Sequence, residues 1–193
     1  MILPPLILAS ASPRRSELLR ELGVNFRVIP SPTSEVHHEQ MTAGELSQIN
    51  AYRKARSVAK KFPDALVLGA DTLVYLGTTL FGKPANLAAA RSMLAQLQGR
   101  THQVVTGVCL FHLRGHHCRI FAEDTTVSFR PLTAGQIKNY LKQVNPLDKA
   151  GAYAIQEHGE QIVVNISGSF SNVVGLPLER LRLELARWTA GAA

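Results

Sequence analysis

Ser10-Ala11-Ser12-Pro13-Arg14-Arg15 joins an apolar run, Leu6-Ile7-Leu8-Ala9, to a helical pattern through Leu18, Leu19 and Leu22 that ends at Gly23. The order reads as a buried strand, a tight turn, and a helix with Pro13 in its first turn. Ser12 stands at the N-cap position, where its hydroxyl is expected to accept from the open N–H groups of that turn. A helix N-terminus attracts anions through its dipole and its unpaired donors. Arg14 and Arg15 add two guanidinium groups, which grip phosphate oxygens in bidentate fashion. The stretch therefore reads as a phosphate site. A capped helix with two solvated arginines is the plain alternative.

Outward from this stretch, strand and helix patterns alternate. Residues 26–30 read as a second strand and 31–38 as a polar loop. Thr42-Ala43-Gly44-Glu45 fits a capping box that opens a helix towards Lys61. Residues 65–70 are wholly apolar, as in a strand covered on both faces. Residues 73–76 continue extended, and Gly77 marks a turn. A helix over 87–97 follows Pro84. Residues 103–113 and 118–129 flank Arg114-Gly115-His116 and read as a long antiparallel hairpin. Thr133-Ala134-Gly135-Gln136 opens another helix, to Gln143. A strand over 162–166 and a helix over 178–188, with Arg180, Arg182 and Arg187 on its polar side, complete the pattern. The fold class is α/β, a twisted mixed sheet flanked by helices, in a single domain over 1–188 with a frayed tail at 189–193.

The composition excludes several classes. A chain of 193 residues, 46% hydrophobic and 18% charged, has the balance of a globular protein and not a disordered one. No apolar run approaches the roughly 20 residues that cross a bilayer. Met1 to Pro5 carry no positive n-region and Pro4-Pro5 interrupt any apolar core, so no secretory signal and a cytoplasmic location are expected. A net charge of +7 and a pI near 9.8 suit a polyanionic partner. The basic residues are dispersed, however, and no base-stacking aromatic strand or zinc-finger spacing is evident, so a nucleic-acid partner is not expected. Cys109 and Cys118 are the only cysteines and read as two reduced, half-buried thiols close together on paired strands. His37-His38 and His116-His117 lack helical metal spacing, and no dedicated zinc site is expected.

Several residues carry candidate chemistry. Asp71 ends an apolar strand, at the edge where open α/β sheets place ligands. It could activate water, hold a divalent cation, or cap the following turn. Gly69 permits a close approach by a ligand or a neighbouring chain segment. Glu35 lies in the polar loop, where a glutamate is ordinarily solvated; beside Asp71 it would complete a hard-oxygen site. Lys54, between Arg53 and Arg56 within a helix, reads as part of a solvated face. Lys83, held between Gly82 and Pro84, offers a point charge to a triphosphate. In the dense segment 148–156, Lys149 could neutralise phosphate and Gln156 presents both a donor and an acceptor. A surface loop is the alternative there, and residues 169–177 read as a structural entry to the last helix.

These stretches together resemble the Maf family, nucleoside triphosphate pyrophosphatases once described as septum-formation inhibitors. The likeness runs through Ser10-Ala11-Ser12-Pro13-Arg14-Arg15, Glu35, Lys54-Ala55, Gly69-Ala70-Asp71-Thr72, Gly82-Lys83-Pro84, Thr106-Gly107, residues 148–156 and Gly175-Leu176-Pro177, in family order. It implies an architecture similar to that of the inosine triphosphate pyrophosphatases, with a deep cleft along the sheet. It implies hydrolysis between the α and β phosphates, with Asp71 as proton acceptor and Mg²⁺ or Mn²⁺ on Glu35 and Asp71. Ser10, Ser12, Arg15, Lys54, Lys83 and Lys149 would meet the phosphates.

Arg14, Thr72 and Gln156 resemble the branch acting on dTTP and UTP. A sister branch acting on 7-methyl-GTP carries tryptophan, glutamine and glutamate at those places. A short Thr72 and an amide at Gln156 suit the O and N–H groups of uracil or thymine, and no acidic partner awaits the positive charge of 7-methylguanine. The chain departs from the family pattern at Val144-Asn145, where Gly-Glu is common, and at Glu157-His158, where a glycine is frequent. Family members are often homodimers, so a second copy is an implied partner beside the nucleotide. Two other readings stand beside this one: a nucleotide-sensing regulatory protein in cell division, and a pyrophosphatase of the 7-methyl-GTP type.

Overall fold

A computed structural model describes residues 3–38 and 40–190. The elements run β1 (Leu6–Leu8), α1 (Pro13–Glu21), β2 (Phe26–Val28), α2 (Ala43–Ala59), β3 (Leu66–Leu76) and β4 (Thr79–Phe81). They continue with α3 (Leu87–Leu97), β5 (Thr101–His112), β6 (His117–Phe129), α4 (Ala134–Gln143), β7 (Val163–Ser167), α5 (Phe170–Val174) and α6 (Leu178–Ala190). Among the described residues, seven strands form one mixed sheet in the order β2-β1-β3-β5-β6-β7, with β4 paired to β3. No helix among the described residues is long and apolar enough to cross a membrane.

Local chemistry explains the helix starts. In α2 the Glu45 backbone N–H donates to Thr42 Oγ1 (3.2 Å) while Thr42 N–H donates to Glu45 Oε2 (2.9 Å), the reciprocal arrangement of a capping box. Thr133 and Gln136 repeat it at α4, with distances of 3.3 and 2.8 Å. The start of α1 differs from expectation. Ser12 has the extended backbone of an N-cap, but its side chain makes no capping bond. Ser10 Oγ accepts from the Ser12 N–H at 3.2 Å, and Pro13, in the first turn, brings no N–H that needs a partner.

The described residues cluster in two compact units. One comprises Met1–Asp71, Thr106–Glu123 and Gly175–Ala193; the other comprises Thr72–Val105 and Asp124–Val174. In the first, β1 lies parallel to both β2 and β3, with Leu6 opposite Phe26 on one side and Leu66 on the other. Ile7, Ala9, Ala51, Ala55, Val58, Val67 and Cys109 share its core. Two glycines let α2 lie directly on the strands. A Cβ at Gly69 would stand 2.8 Å from the Ala55 nitrogen, and one at Gly107 only 2.5 Å from the Gln48 nitrogen. The close approach anticipated at Gly69 is therefore made by a helix. Cys109 is buried and Cys118 exposed, with free sulfurs 3.9 Å apart.

In the second unit β4 pairs antiparallel with the end of β3 after a turn at Gly77, and β6 pairs antiparallel with β7. Its core gathers Val74, Leu94, Leu97, Val127, Phe129, Tyr140 and Tyr153. His102 is fully buried there, edge-on to Phe129 and Tyr153, and shares a 2.9 Å hydrogen bond with the Tyr153 hydroxyl. Burial pushes its imidazole down to about 4, so it is neutral at physiological pH. Of the tail expected at 189–193, Thr189 and Ala190 belong to α6, and residues 191–193 lie outside the described residues.

Candidate active site

The first unit concentrates charge around Asp71, which the sequence placed at a strand end but which lies in the middle of β3, because the strand continues through Thr72 to Leu76. Asp71 is 3% exposed, beyond Leu66, Val67, Leu68 and Ala70, all fully buried. An isolated carboxylate at such depth would protonate, so its partners decide its state. Lys54 Nζ donates to Asp71 Oδ1 at 2.7 Å and to Glu35 Oε1 at 2.8 Å, joining the two carboxylates through one ammonium. Asn50 Nδ2 donates to the other oxygen, Asp71 Oδ2, at 3.0 Å. Burial raises the Asp71 carboxyl above its ordinary value, and neighbouring Glu35 raises it further, while Lys54 and Arg15 oppose the rise.

The sequence placed Lys54 on a solvated helical face. That face is in fact split. Arg53 and Arg56 are exposed, but Lys54 is half-buried and turns towards β3. The reason lies in Gly69 and Gly107, which bring α2 so near the strands that a lysine stem reaches Asp71. Asn50 sits one helical turn earlier on the same face, as i, i+4 spacing requires. No sequence signal had singled it out.

Arg15, in the first turns of α1, is also half-buried. Its Nε donates to the Gly175 carbonyl at 2.9 Å and its Nη1 to Ser10 Oγ at 3.1 Å. Burial lowers its pKa, and the nearby charges of Asp71 and Glu35 offset part of that effect. Ser10, Arg15, Glu35, Asn50, Lys54 and Asp71 thus form one electrostatic neighbourhood. Arg14 is half-buried on the same helix, and Ser12 lies at its start.

The second unit carries the other candidates, and they are differently placed. Lys83 and Gln156 are exposed and Thr72 is half-buried. Lys149 is 5% exposed, and its ammonium donates to the Asn145 carbonyl (2.8 Å) and Asp148 Oδ1 (3.0 Å) and pairs with Glu157 Oε1 (3.3 Å). Asn145 and Glu157 are two of the positions where the chain departs from the family pattern. The loop before Gln156 is anchored at its root. Gly151 N–H donates to the Gly82 carbonyl at 3.1 Å, tying it to the Lys83 loop. The Tyr140 hydroxyl donates to the Ala154 carbonyl (3.1 Å) and accepts from its N–H (3.0 Å). Tyr140 and His102 are thus supports that sequence reading overlooked.

Glu35 and Asp71 are the carboxylates able to share a hard cation, since their oxygens converge on one point, now Lys54 Nζ. No group of three or more His, Cys, Asp or Glu side chains is gathered for a metal among the described residues. Two carboxylates suit an ion such as Mg²⁺, which keeps waters and substrate oxygens as its remaining ligands.

A family model described as Maf-like protein matches residues 5–188. A dTTP/UTP pyrophosphatase of Symbiobacterium thermophilum is 48% identical, over 91% of this chain and 89% of that protein. Proteins of the same name from Akkermansia muciniphila and Moorella thermoacetica are 46% and 47% identical, covering 92% and 94% of this chain and 93% of each relative. With the match spanning nearly every element that builds the site, the chain belongs to the family of Maf-like proteins.

Proposed function

We propose that this pyrophosphatase hydrolyses dTTP and UTP between the α and β phosphates, releasing the nucleoside monophosphate and pyrophosphate. The observation that carries the reading is the Asp71–Lys54–Glu35 cluster: a buried carboxylate paired with a lysine at 2.7 Å, with Arg15 adding positive charge nearby. The relatives' shared name supports the choice of dTTP and UTP. Arg14, Thr72 and Gln156 are the proposed base-reading residues.

In this reading Asp71 takes a proton from the attacking water, for which its raised pKa suits it better than an ordinary surface aspartate. Lys54 exchanges one carboxylate for a phosphate oxygen as substrate enters, so its charge is already in place when the leaving pyrophosphate develops charge. Arg15, fixed by Gly175 and Ser10, and exposed Lys83 neutralise the phosphate chain. Ser10 and Ser12 supply further donors. Lys149 would join them only by exchanging Glu157 for phosphate. Glu35 and Asp71 would hold Mg²⁺ or Mn²⁺, which when bound supplies charge neutralisation on the triphosphate.

Resemblance also supports a fold like that of the inosine triphosphate pyrophosphatases, with β5 and β6 as a long hairpin. The two strands are neighbours in the sheet and Leu113–His116 is short enough to join them. A single functional domain over 1–188, a cytoplasmic location and a homodimer belong to the same proposal. Pyrophosphate release measured across dTTP, UTP, ATP, GTP and 7-methyl-GTP tests it. Turnover led by dTTP and UTP is expected, and a preference for 7-methyl-GTP would overturn the base assignment.

A further inference from the structure

We infer that Asn50 is a positioning residue for the reaction, holding Asp71 and the loop that carries Glu35 in one fixed arrangement. The inference rests on the assignment of Asp71 as the group that activates water. Asn50 lies on α2 and is 1% exposed, and every polar atom of its side chain is engaged. Its Nδ2 donates to Asp71 Oδ2 at 3.0 Å and to the Val36 carbonyl at 3.2 Å, and its Oδ1 accepts from the Val36 N–H at 2.8 Å. An amide is the side chain that can do all three, since it presents two N–H donors and an acceptor in one plane.

The consequences follow from geometry. Residues 29–38 lie outside any helix or strand, so no backbone ladder fixes Glu35. The paired bonds from Asn50 to Val36 supply that restraint one residue away. On its other side Asn50 occupies Asp71 Oδ2, while Lys54 occupies Oδ1. When phosphate draws Lys54 away, Asn50 still holds the carboxylate plane and leaves Oδ1 directed at the incoming water. The donated hydrogen bond also favours the ionised carboxylate. Lys54, Glu35 and Arg15 are the charged groups that face Asp71 besides this neutral amide.

Two measurements test the role. At one fixed pH, the Asn50 side-chain amide resonance of the wild-type protein should differ from that of Asp71→Asn, because one of its N–H groups donates to the Asp71 carboxylate. In Asn50→Leu, which keeps the branching but cannot donate, and in the smaller Asn50→Ala, kcat should fall at least about tenfold with KM changed less than about threefold. A purely structural role would lower thermal stability and leave kcat of the folded enzyme in place. An amide resonance unaffected by Asp71→Asn, or a folded Asn50→Ala with wild-type kcat, overturns the inference. Asp71→Asn separates the two claims: if that variant turns over normally, the water-activating assignment itself fails.

Discussion

The two compact units prepare their candidate residues in opposite ways. In the first, Asp71, Lys54, Glu35 and Asn50 are interlocked at 2.7–3.0 Å around the middle of β3 before any substrate arrives. In the second, the frame beneath the loop is rigid, pinned by Tyr140 and His102, while Gln156 and Lys83 stand exposed. Reactive groups benefit from being held in place, because reorganisation during the reaction is then small. Recognition groups can stay open to solvent, because the substrate reaches them from outside. Lys149 is the exception in the second unit, already ringed by Asn145, Asp148 and Glu157.

On this contrast, damage to the first unit should act on chemistry and damage to the second on recognition of the nucleotide, either its base or its phosphates. The largest effect is expected for Asp71→Asn, with turnover down by roughly three decades, as for loss of a general base. Its thermal stability should not fall. The Asp71 carboxyl is raised in the folded state, so the fold binds its proton more tightly than the unfolded chain does. That contribution is present below the ordinary carboxylate range and is lost as pH rises through the raised value. Above that raised value the ionised Asp71 therefore adds no stability for the amide to remove. The same shift places the acid limb of wild-type turnover above the ordinary aspartate range, which a pH profile of kcat/KM reads directly.

Next in size, Lys54→Met should lower kcat/KM by about two decades, since it leaves two carboxylates facing each other and removes a phosphate partner. Nearly wild-type kinetics would remove Lys54 from the mechanism. Gln156→Glu should cost dTTP and UTP about a hundredfold while affecting a purine triphosphate far less, because a carboxylate faces the pyrimidine's carbonyl oxygens. A uniform loss across bases would place Gln156 outside base recognition. Lys83→Ala should reduce all nucleotides alike by about tenfold, the loss of one charge-assisted contact. Gly69→Ala forces a methyl against the backbone of α2, and an unfolding free energy lowered by about 1–3 kcal/mol, with a lower midpoint, is expected. An unchanged midpoint would mean that α2 can retreat from the strand without loss.

Much of the architecture was legible because local signals were strong. The capping boxes at Thr42 and Thr133 fixed two helix starts, and the apolar run before Asp71 fixed the strand that carries it. β4 was missed because three residues are too few to show periodicity, and α5 because a five-residue helix lies within a turn-rich stretch. Asp71 and Glu35 were candidates from the outset. Their junction through Lys54 was not visible, since it depends on how closely α2 packs, and two glycines far apart in sequence set that distance. Asn50 was hidden for the same reason. A polar residue in a helix becomes informative only when its neighbour across the packing is known. Ser12 erred in the other direction: a suitable residue stood at the cap position, yet its side chain makes no capping bond.

If the carboxylate of Asp71 drives attack of water on the triphosphate with loss of pyrophosphate, the products must carry its mark. Incubation with dTTP in ¹⁸O-labelled water, with products resolved by mass spectrometry, reads that mark. The expected products are dTMP and pyrophosphate alone, one labelled oxygen between them, with almost none of either from folded Asp71→Asn. Release of dTDP and inorganic phosphate, or undiminished dTMP from Asp71→Asn, would contradict it.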